Sequence, residues 1–253
     1  MRYHRYFTVL ALSSMIALAS TPLWAAGPGR GAGFGANSNQ GMGSGNLRTA
    51  CLVSPAQQLN ETEIDHLLFM YEEEKLARDL YLEFADLWGL PQFANIAASE
   101  QRHMDALKCQ LDKHAIADPV ADFPRGVLAN PELQDLHDDL LVQGQASAQE
   151  ALRIGALVEE IDIEDLDKAM AATTNQELVQ TYANLQRGSR NHLRTFAGSL
   201  ERVGIPYTAQ WLDEETVDAI LNSPMERGGQ GRGNGGARGP GRQGGPNGGR
   251  FGQ

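Results

Sequence analysis

The stretch Glu74-Lys75-Leu76-Ala77-Arg78-Asp79-Leu80-Tyr81 places a carboxylate in a helical stripe that is otherwise apolar. Residues three or four apart share one face of a helix. The other residues on the face of Glu74 are Leu67, Met70, Tyr71, Ala77 and Tyr81. Burying a carboxylate costs roughly several kcal/mol unless a partner or a metal ion satisfies it. The stretch therefore predicts a core helix with a polar site inside it.

A second motif, Glu100-Gln101-Arg102-His103, follows on the next predicted helix. Its glutamate and histidine are three residues apart, so both side chains can reach one point in space. A carboxylate and an imidazole that converge inside a helical bundle are typical of a transition-metal site.

Helical periodicity runs from about residue 60 to residue 203 and predicts two helical hairpins. The four long helices are expected at about 61–88, 92–114, 147–172 and 176–203, and the short ones at about 131–142 and 213–221. A connection of about thirty residues separates the two hairpins. This arrangement predicts an all-α four-helix bundle with one long crossover connection.

The third and fourth long helices each carry one more ligand type in their apolar stripe. Glu159 lies in the third stripe and His192 in the fourth, with Ser189 three residues before His192. Asp162 lies beside Glu159 and could share its role, whereas Glu160 points about 100° away around the helix. The predicted metal ligands are Glu74, Glu100, His103, Glu159 and His192, and the additional candidates are Asp162, Glu160 and Ser189.

Each of these residues also has a purely structural interpretation. Glu74 could form a helix-surface ion pair with Arg78, four residues later. His103 could be a core histidine bonded to a backbone carbonyl. Solvent-exposed positions are expected for Glu72, Glu73, His66, His114 and His137.

The two ends of the chain have the composition of targeting and disordered segments. Residues 1–26 read as a signal peptide, because basic residues precede an apolar run that ends near Ala25 and Ala26. An uncleaved anchor is the alternative, although the run is short for a membrane span. Residues 27–57 form a Gly/Ser-rich linker and residues 223–253 a Gly/Arg-rich tail, and both are expected to be disordered. The folded domain is expected at 58–222, in a periplasmic or secreted protein.

Charge and cysteine content add two expectations. The net charge is −11, and all but one of the 32 acidic residues lie between residues 49 and 225. Such a domain attracts cations and repels nucleic acid, so no nucleic-acid partner is expected. Arg-Gly runs also occur in RNA-binding tails, which is the less favoured interpretation of the C-terminal segment. Export would permit a disulfide between Cys51 and Cys109, the two cysteines of the chain.

The motif Glu74-x-x-Ala77-Arg78-x-x-Tyr81 resembles the first metal-binding helix of rubrerythrin-type members of the ferritin-like superfamily. With the Glu100, Glu159 and His192 segments, residues of about 58–205 closely resemble the uncharacterised family known as domain of unknown function 2202. The resemblance implies a ferritin-like fold and a metal site, but no substrate. Ser189 departs from the rubrerythrin pattern, which has a carboxylate there. The metal position nearest His192 is therefore expected to be weaker or more open unless Asp162 or Glu160 contributes.

Carboxylate and neutral imidazole ligands suit iron, manganese or zinc, and the ferritin-like resemblance favours iron. The expected function is an exported metal-binding protein with ferroxidase- or peroxidase-type redox activity. Its expected partners are metal ions and dioxygen or peroxide, without stable membrane insertion, and a homodimer is left open. The alternatives are a metal-sequestering module without turnover and a helical interaction scaffold without metal.

Overall fold

The computed structural model describes residues 56–227, and this part of the chain contains helices and no strand. The helices are α1 (Glu61–Trp88), α2 (Pro91–Lys113), α3 (Pro131–Gly144), α4 (Ala148–Ala171), α5 (Gln176–Glu201) and α6 (Glu214–Leu221). The all-α prediction is confirmed. The expected signal peptide, nearly all of the expected linker and most of the expected tail lie outside the described residues.

Local capping explains why the helix bounds agree with the sequence pattern to within two residues. Asn60 and Glu63 form a reciprocal capping box at the start of α1. The helix ends at Gly89, whose φ of 64° a residue with a side chain rarely adopts. Side-chain caps also begin four later helices, and these caps are Asn130, Ser147, Asn175 and Asp213.

The four long helices form a bundle of two hairpins. Helices α1 and α2 pair closely, and so do α4 and α5. The hairpins meet where α1 contacts α4 and where α2 contacts α5. Within residues 56–227, α2 and α4 make at most marginal contact, as do α1 and α5, so each of these pairs is diagonal across the bundle. A site at the centre of the bundle can therefore receive side chains from all four helices.

The core is divided into two apolar clusters along the bundle axis. One contains the rings of Tyr81, Phe84, Phe93 and Phe196, which contact one another. The other is formed around Leu67, Met70, Leu107, Leu166 and Tyr182. On α1, α2 and α5 the residues predicted as metal ligands fall between the stretches that supply these clusters, whereas on α4 Ile161 and Ile163 of the first cluster still follow Glu159. A polar layer therefore separates two apolar layers.

The crossover before α3 packs on a second face of α1. The Glu72 carboxylate accepts hydrogen bonds from the backbone N–H groups of Ala129 and Asn130, at 2.7 and 2.8 Å. Asp79 likewise accepts one from the Gly126 N–H at 2.9 Å, and the Lys75 ammonium donates to the Pro124 carbonyl at 2.9 Å. The polar residues of this face thus satisfy the backbone of a loop that lies over them.

These contacts correct three expectations about exposure. Glu72 and Glu73 are both buried, and the crossover covers Glu72 on a side of α1 that was expected to face solvent. His137 on α3 is also buried, since its ring lies against Gly126. Periodicity on α1 shows the face that meets the other long helices, but a loop from a distant part of the chain leaves no periodic signal.

The packed chain continues beyond α6. Glu226 pairs through both carboxylate oxygens with Arg190, and its backbone N–H and C=O bond the side-chain amide of Asn191. Arg194 adds bonds to Ser223 and Glu226. These contacts extend four residues past the boundary expected at residue 222. No helix within residues 56–227 has the length and apolar character needed to cross a membrane.

The expected disulfide involves one residue on each side of the described boundary. Cys109 is buried near the end of α2 and carries no free thiol. Cys51 lies outside the described residues, so its pairing with Cys109 stays a prediction.

Candidate metal centre

Glu100 lies at the centre of the polar layer and faces both histidines. Its Oε2 atom is 2.7 Å from Nδ1 of His103, and its Oε1 atom is 2.8 Å from Nδ1 of His192. Nδ1 of His103 also lies 3.2 Å from Glu74 Oε2, and Nδ1 of His192 lies 3.5 Å from Glu159 Oε2. The structure thus brings together all five residues predicted as ligands, one or two from each long helix.

These atoms form two groups with the spacing that a metal ion requires. The first is Glu74, Glu100 and His103, and the second is Glu100, Glu159 and His192. In each group the ligand atoms lie within 4.8 Å of one another. Because Glu100 belongs to both groups, the two groups adjoin and share one carboxylate.

The centre is almost closed to solvent. Glu74, Glu100 and Glu159 are each 2% exposed, whereas the side chains of His103 and His192 are 12% and 10% exposed. Three carboxylates at this depth repel one another and lose hydration, so their charge has to be compensated by protons or by a cation.

Several polar atoms of the layer have no protein hydrogen-bond partner. These atoms are Glu74 Oε1, Glu100 Oε1, Asp162 Oδ1 and His192 Nδ1. Glu100 Oε1 and His192 Nδ1 are close, but they do not have the geometry of a hydrogen bond. Metal ligands keep such lone pairs free for the ion, whereas buried polar groups are otherwise nearly always paired. The residues therefore fit a bound metal better than a closed hydrogen-bond network.

Electrostatics of the metal-free cluster show where positive charge is needed. Burial raises the pKa of Glu74 to about 8 and also raises that of Glu159, where the charge of Glu100 adds to the effect. Burial lowers the pKa of His192, but the charges of Glu100 and Glu159 outweigh burial and raise it to about 10. The pKa of His103 rises for the same reason, through Glu74 and Glu100. In the metal-free protein, protons on these groups thus supply the positive charge. Bound metal ions would displace these protons and supply the charge instead.

The contacts of Glu74 and His103 differ from those that a purely structural role would give them. Arg78 pairs with Asp79 and Gln101 and leaves Glu74 to the interior. His103 Nδ1 faces carboxylates, where the alternative expected a backbone carbonyl.

Tyr81 holds the predicted ligand Glu159 in place from the aromatic side of the layer. Its hydroxyl donates to Glu159 Oε1 at 2.5 Å and lies 3.2 Å from the Gly155 carbonyl oxygen. The ring is fully buried and packs against Phe196 and Phe93, with ring centroids 5.1 and 6.2 Å away. A rigid donor of this kind fixes the orientation of a ligating carboxylate.

Glu160, a candidate additional ligand, has a different role. Its carboxylate points away from the centre and accepts hydrogen bonds from four donors, which are the Tyr207 hydroxyl and the backbone N–H groups of Gln210, Trp211 and Leu212. Glu160 therefore anchors the segment before α6, as its position 100° around α4 from Glu159 permits. The other two candidates, Asp162 and Ser189, are buried at the layer and contact each other.

Gly188 is a residue of the site that sequence reasoning did not identify. A Cβ atom at this position would lie 2.5 Å from His103 Nε2 and 2.6 Å from His103 Cε1. The ring of His103 therefore occupies the space that any other residue at 188 would fill. The available signal was a glycine in a helix interior, which costs about 1 kcal/mol relative to alanine and so needs a packing reason.

Gly188→Ala is expected to push the His103 ring out of position and weaken metal binding about tenfold or more. The fold should not suffer, because alanine favours a helix over glycine by about 1 kcal/mol. Gly198→Ala is the matched control, since the nearest atom to its Cβ is Arg202 Nη1 at 3.8 Å. Metal titration and thermal unfolding of both variants test this prediction. Parental metal affinity in Gly188→Ala would contradict it.

Comparison with known proteins places the chain in a family. Residues 63–224 match the model described as "Uncharacterized protein domain (DUF2202)". The uncharacterized protein MJ0754 of Methanocaldococcus jannaschii is 44% identical over 174 residues, which are 69% of this chain and 94% of that protein. The crystal structure of the hypothetical protein MJ0754 superposes with a TM-score of 0.67 at 43% identity, covering 68% of this chain and 99% of that one. The chain therefore belongs to the DUF2202 family.

Proposed function

We propose that the polar layer binds a pair of transition-metal ions and that the protein is an exported metal-dependent redox protein. Iron is the metal that we favour, and manganese and zinc are the alternatives. The observation that carries the proposal is the pair of three-residue ligand groups that share Glu100 inside a buried core. The unpaired polar atoms that point into the same layer support it. So does the ferritin-like resemblance of the motifs, in which carboxylates and histidines on four helices hold two metal ions.

The residues divide between two positions. Glu74 and His103 would hold one ion, Glu159 and His192 the other, and Glu100 both. A pair of iron ions in this setting would supply the electrons to reduce dioxygen or peroxide, as in a ferroxidase or a peroxide scavenger. The carboxylate-rich ligand set favours oxygen-preferring, redox-active ions over ions that prefer thiolates.

The surrounding protein supplies orientation and access. Tyr81 fixes Glu159, and the apolar clusters on both sides keep water away from the layer. Of the five predicted ligands, His103 and His192 are the most exposed, and their rings stack with centroids 5.6 Å apart. A small oxidant would therefore reach the centre between α2 and α5, beside these rings and Gly188.

Two other functions are the alternatives, and an assay of iron oxidation distinguishes them. A sequestering module would bind the metal without turnover, which suits the acidic domain. A metal-free scaffold is less compatible with a layer of buried, unpaired carboxylate and imidazole atoms.

The assay is consumption of dioxygen or hydrogen peroxide by the protein loaded anaerobically with ferrous iron. The proposal expects oxidation faster than that of the same iron without protein, because the ligands hold both ions together. If Glu100→Gln oxidised iron no faster than the protein-free control, the polar layer would be responsible for the acceleration. Tight binding with no consumption of either oxidant would establish the sequestering module instead.

Metal binding is expected to release protons, and its affinity is expected to rise with pH. At pH 7 the metal-free cluster holds protons on Glu74, with a pKa of about 8, and on His192, with a pKa of about 10. Each proton that a metal ion displaces makes the affinity rise by about tenfold per pH unit below these values. Calorimetric titration in two buffers of different ionisation enthalpy measures the protons released, and a value of zero would contradict the prediction.

The same groups set the stability of the metal-free protein. A pKa that is higher in the folded state means stability that is present at low pH and lost as pH rises. For Glu74 the loss runs from its ordinary pKa of 4.5 to about 8, and for His192 from 6.5 to about 10. The Tm of the metal-free protein should therefore fall between pH 7 and pH 9. Loaded protein should show a smaller fall, because metal ions replace the protons.

A further inference from the structure

Asp162 has the surroundings of a ligand but belongs to neither three-residue group. The residue is 6% exposed, and its buried Oδ1 atom has no hydrogen-bond partner. Burial raises its pKa well above the ordinary value, and the charges of Glu74, Glu159 and Glu100 add to the effect. Asp162 is three residues after Glu159 on α4, so it shares the face of the helix that carries Glu159.

The other oxygen of Asp162 is held by Ser189. The Ser189 side chain is fully buried, and its hydroxyl contacts Asp162 Oδ2 and lies 3.1 Å from the Leu185 carbonyl oxygen. A hydroxyl is small enough to leave Asp162 its place in the layer. A glutamate at position 189, where the rubrerythrin-type pattern has a carboxylate, would compete for the same space.

We infer that Asp162 is the sixth ligand of the centre and that Ser189 positions it, so that the carboxylate absent from α5 is supplied by α4. This inference rests on the proposed metal pair. Glu100 comes from α2 and Asp162 from the diagonally opposite helix, so the two carboxylates approach the pair from opposite sides. The ligand set then contains four carboxylates and two imidazoles, and Ser189 is a positioning residue.

The inference changes what is expected of the second metal position. Without a sixth ligand, the position nearest His192 would be weak or open, and Ser189→Glu would tighten it. With Asp162 in place, the two positions should have comparable affinity. Adding Ser189→Glu to the parent should then bring no gain, because two carboxylates would compete for one place.

The test is anaerobic titration of the full chain with Co²⁺, followed by calorimetry and by the absorption of the bound ion. The parent is expected to bind two equivalents. Asp162→Asn retains the side-chain volume and Asp162→Ala removes it. In both variants we expect one equivalent to weaken by about tenfold or more while the other remains. Helical circular dichroism establishes that each variant is folded.

A carboxylate swap makes the test specific. Ser189→Glu in the Asp162→Ala background should restore the weakened equivalent, because the space beside position 189 is then free. Two parental equivalents in both Asp162 variants would overturn this inference and leave the proposed metal pair standing, and so would tightening by Ser189→Glu in the parent. A parent protein that binds no Co²⁺ would overturn the metal pair itself.

Discussion

Glu100→Gln should abolish binding at both metal positions. Glu100 is the one residue that both ligand groups share, and its two oxygens face different histidines. An amide cannot supply two anionic oxygens, so we expect both affinities to fall by more than about a hundredfold, beyond the effect of losing an outer partner. Titration with Co²⁺ or ferrous iron measures the change.

The same substitution should leave the fold intact. Glutamine has nearly the volume of glutamate, so the packing around position 100 is retained. Burial alone would raise the pKa of Glu100, but the two histidines outweigh burial and hold it well below the usual range. The metal-free variant loses the attraction between Glu100 and the two histidines, so its histidines should titrate at lower pH than in the parent. Retention of one tight equivalent would show that the two positions do not share this residue.

Glu159→Gln and Glu160→Gln are expected to affect different properties, although the two residues are adjacent. The first should weaken metal binding and the second should lower stability. Glu160→Gln should destabilise the protein by about 2–3 kcal/mol, because the Glu160 carboxylate accepts hydrogen bonds from backbone N–H groups and from the Tyr207 hydroxyl, and an amide has one acceptor oxygen fewer. Metal binding should be unchanged. Glu159→Gln should weaken one metal position by at least about tenfold. It should leave the metal-free protein at least as stable, since it removes one of several mutually repelling buried carboxylates.

The pair is measured by thermal unfolding of metal-free protein and by metal titration, with each variant as the control for the other. If Glu160→Gln reduced the number of metal ions bound, Glu160 would belong to the centre. If Glu159→Gln were the more destabilising change without metal, Glu159 would be a structural residue.

The convergence of the candidate ligands could be predicted because it depends on regular helix geometry. Helical periodicity places Glu74, Glu100, Glu159 and His192 on the stripes that meet in a bundle, and similar hairpins bring them to one level. The helix bounds followed from caps such as Asn60 and Gly89, which act through neighbouring residues.

Contacts from irregular segments could not be predicted in this way. Glu72 is buried by the crossover and Glu160 by the segment before α6, and both accept backbone N–H groups that lie about fifty residues or more away in the chain. Helical periodicity indicated only that these two residues lie outside the apolar stripe that faces the other long helices. A buried carboxylate that satisfies a loop and one that faces a metal ion look alike in sequence.

Ser189 illustrates a further limit. Its place in the stripe of α5 indicated a missing ligand, and Asp162 was one of two residues that could compensate. Choosing between Asp162 and Glu160 required the side-chain contacts, because both follow Glu159 within a single helical turn. The contact between Ser189 and Asp162 made the distinction.

Elemental analysis of the protein purified from its native compartment tests the central claim most directly. The account predicts two transition-metal ions per chain, with iron the main one, and their loss from Glu100→Gln purified in parallel. It would be contradicted by a folded parent protein that contains no transition metal and takes up neither ferrous iron, Mn²⁺ nor Zn²⁺ when each is supplied without oxygen.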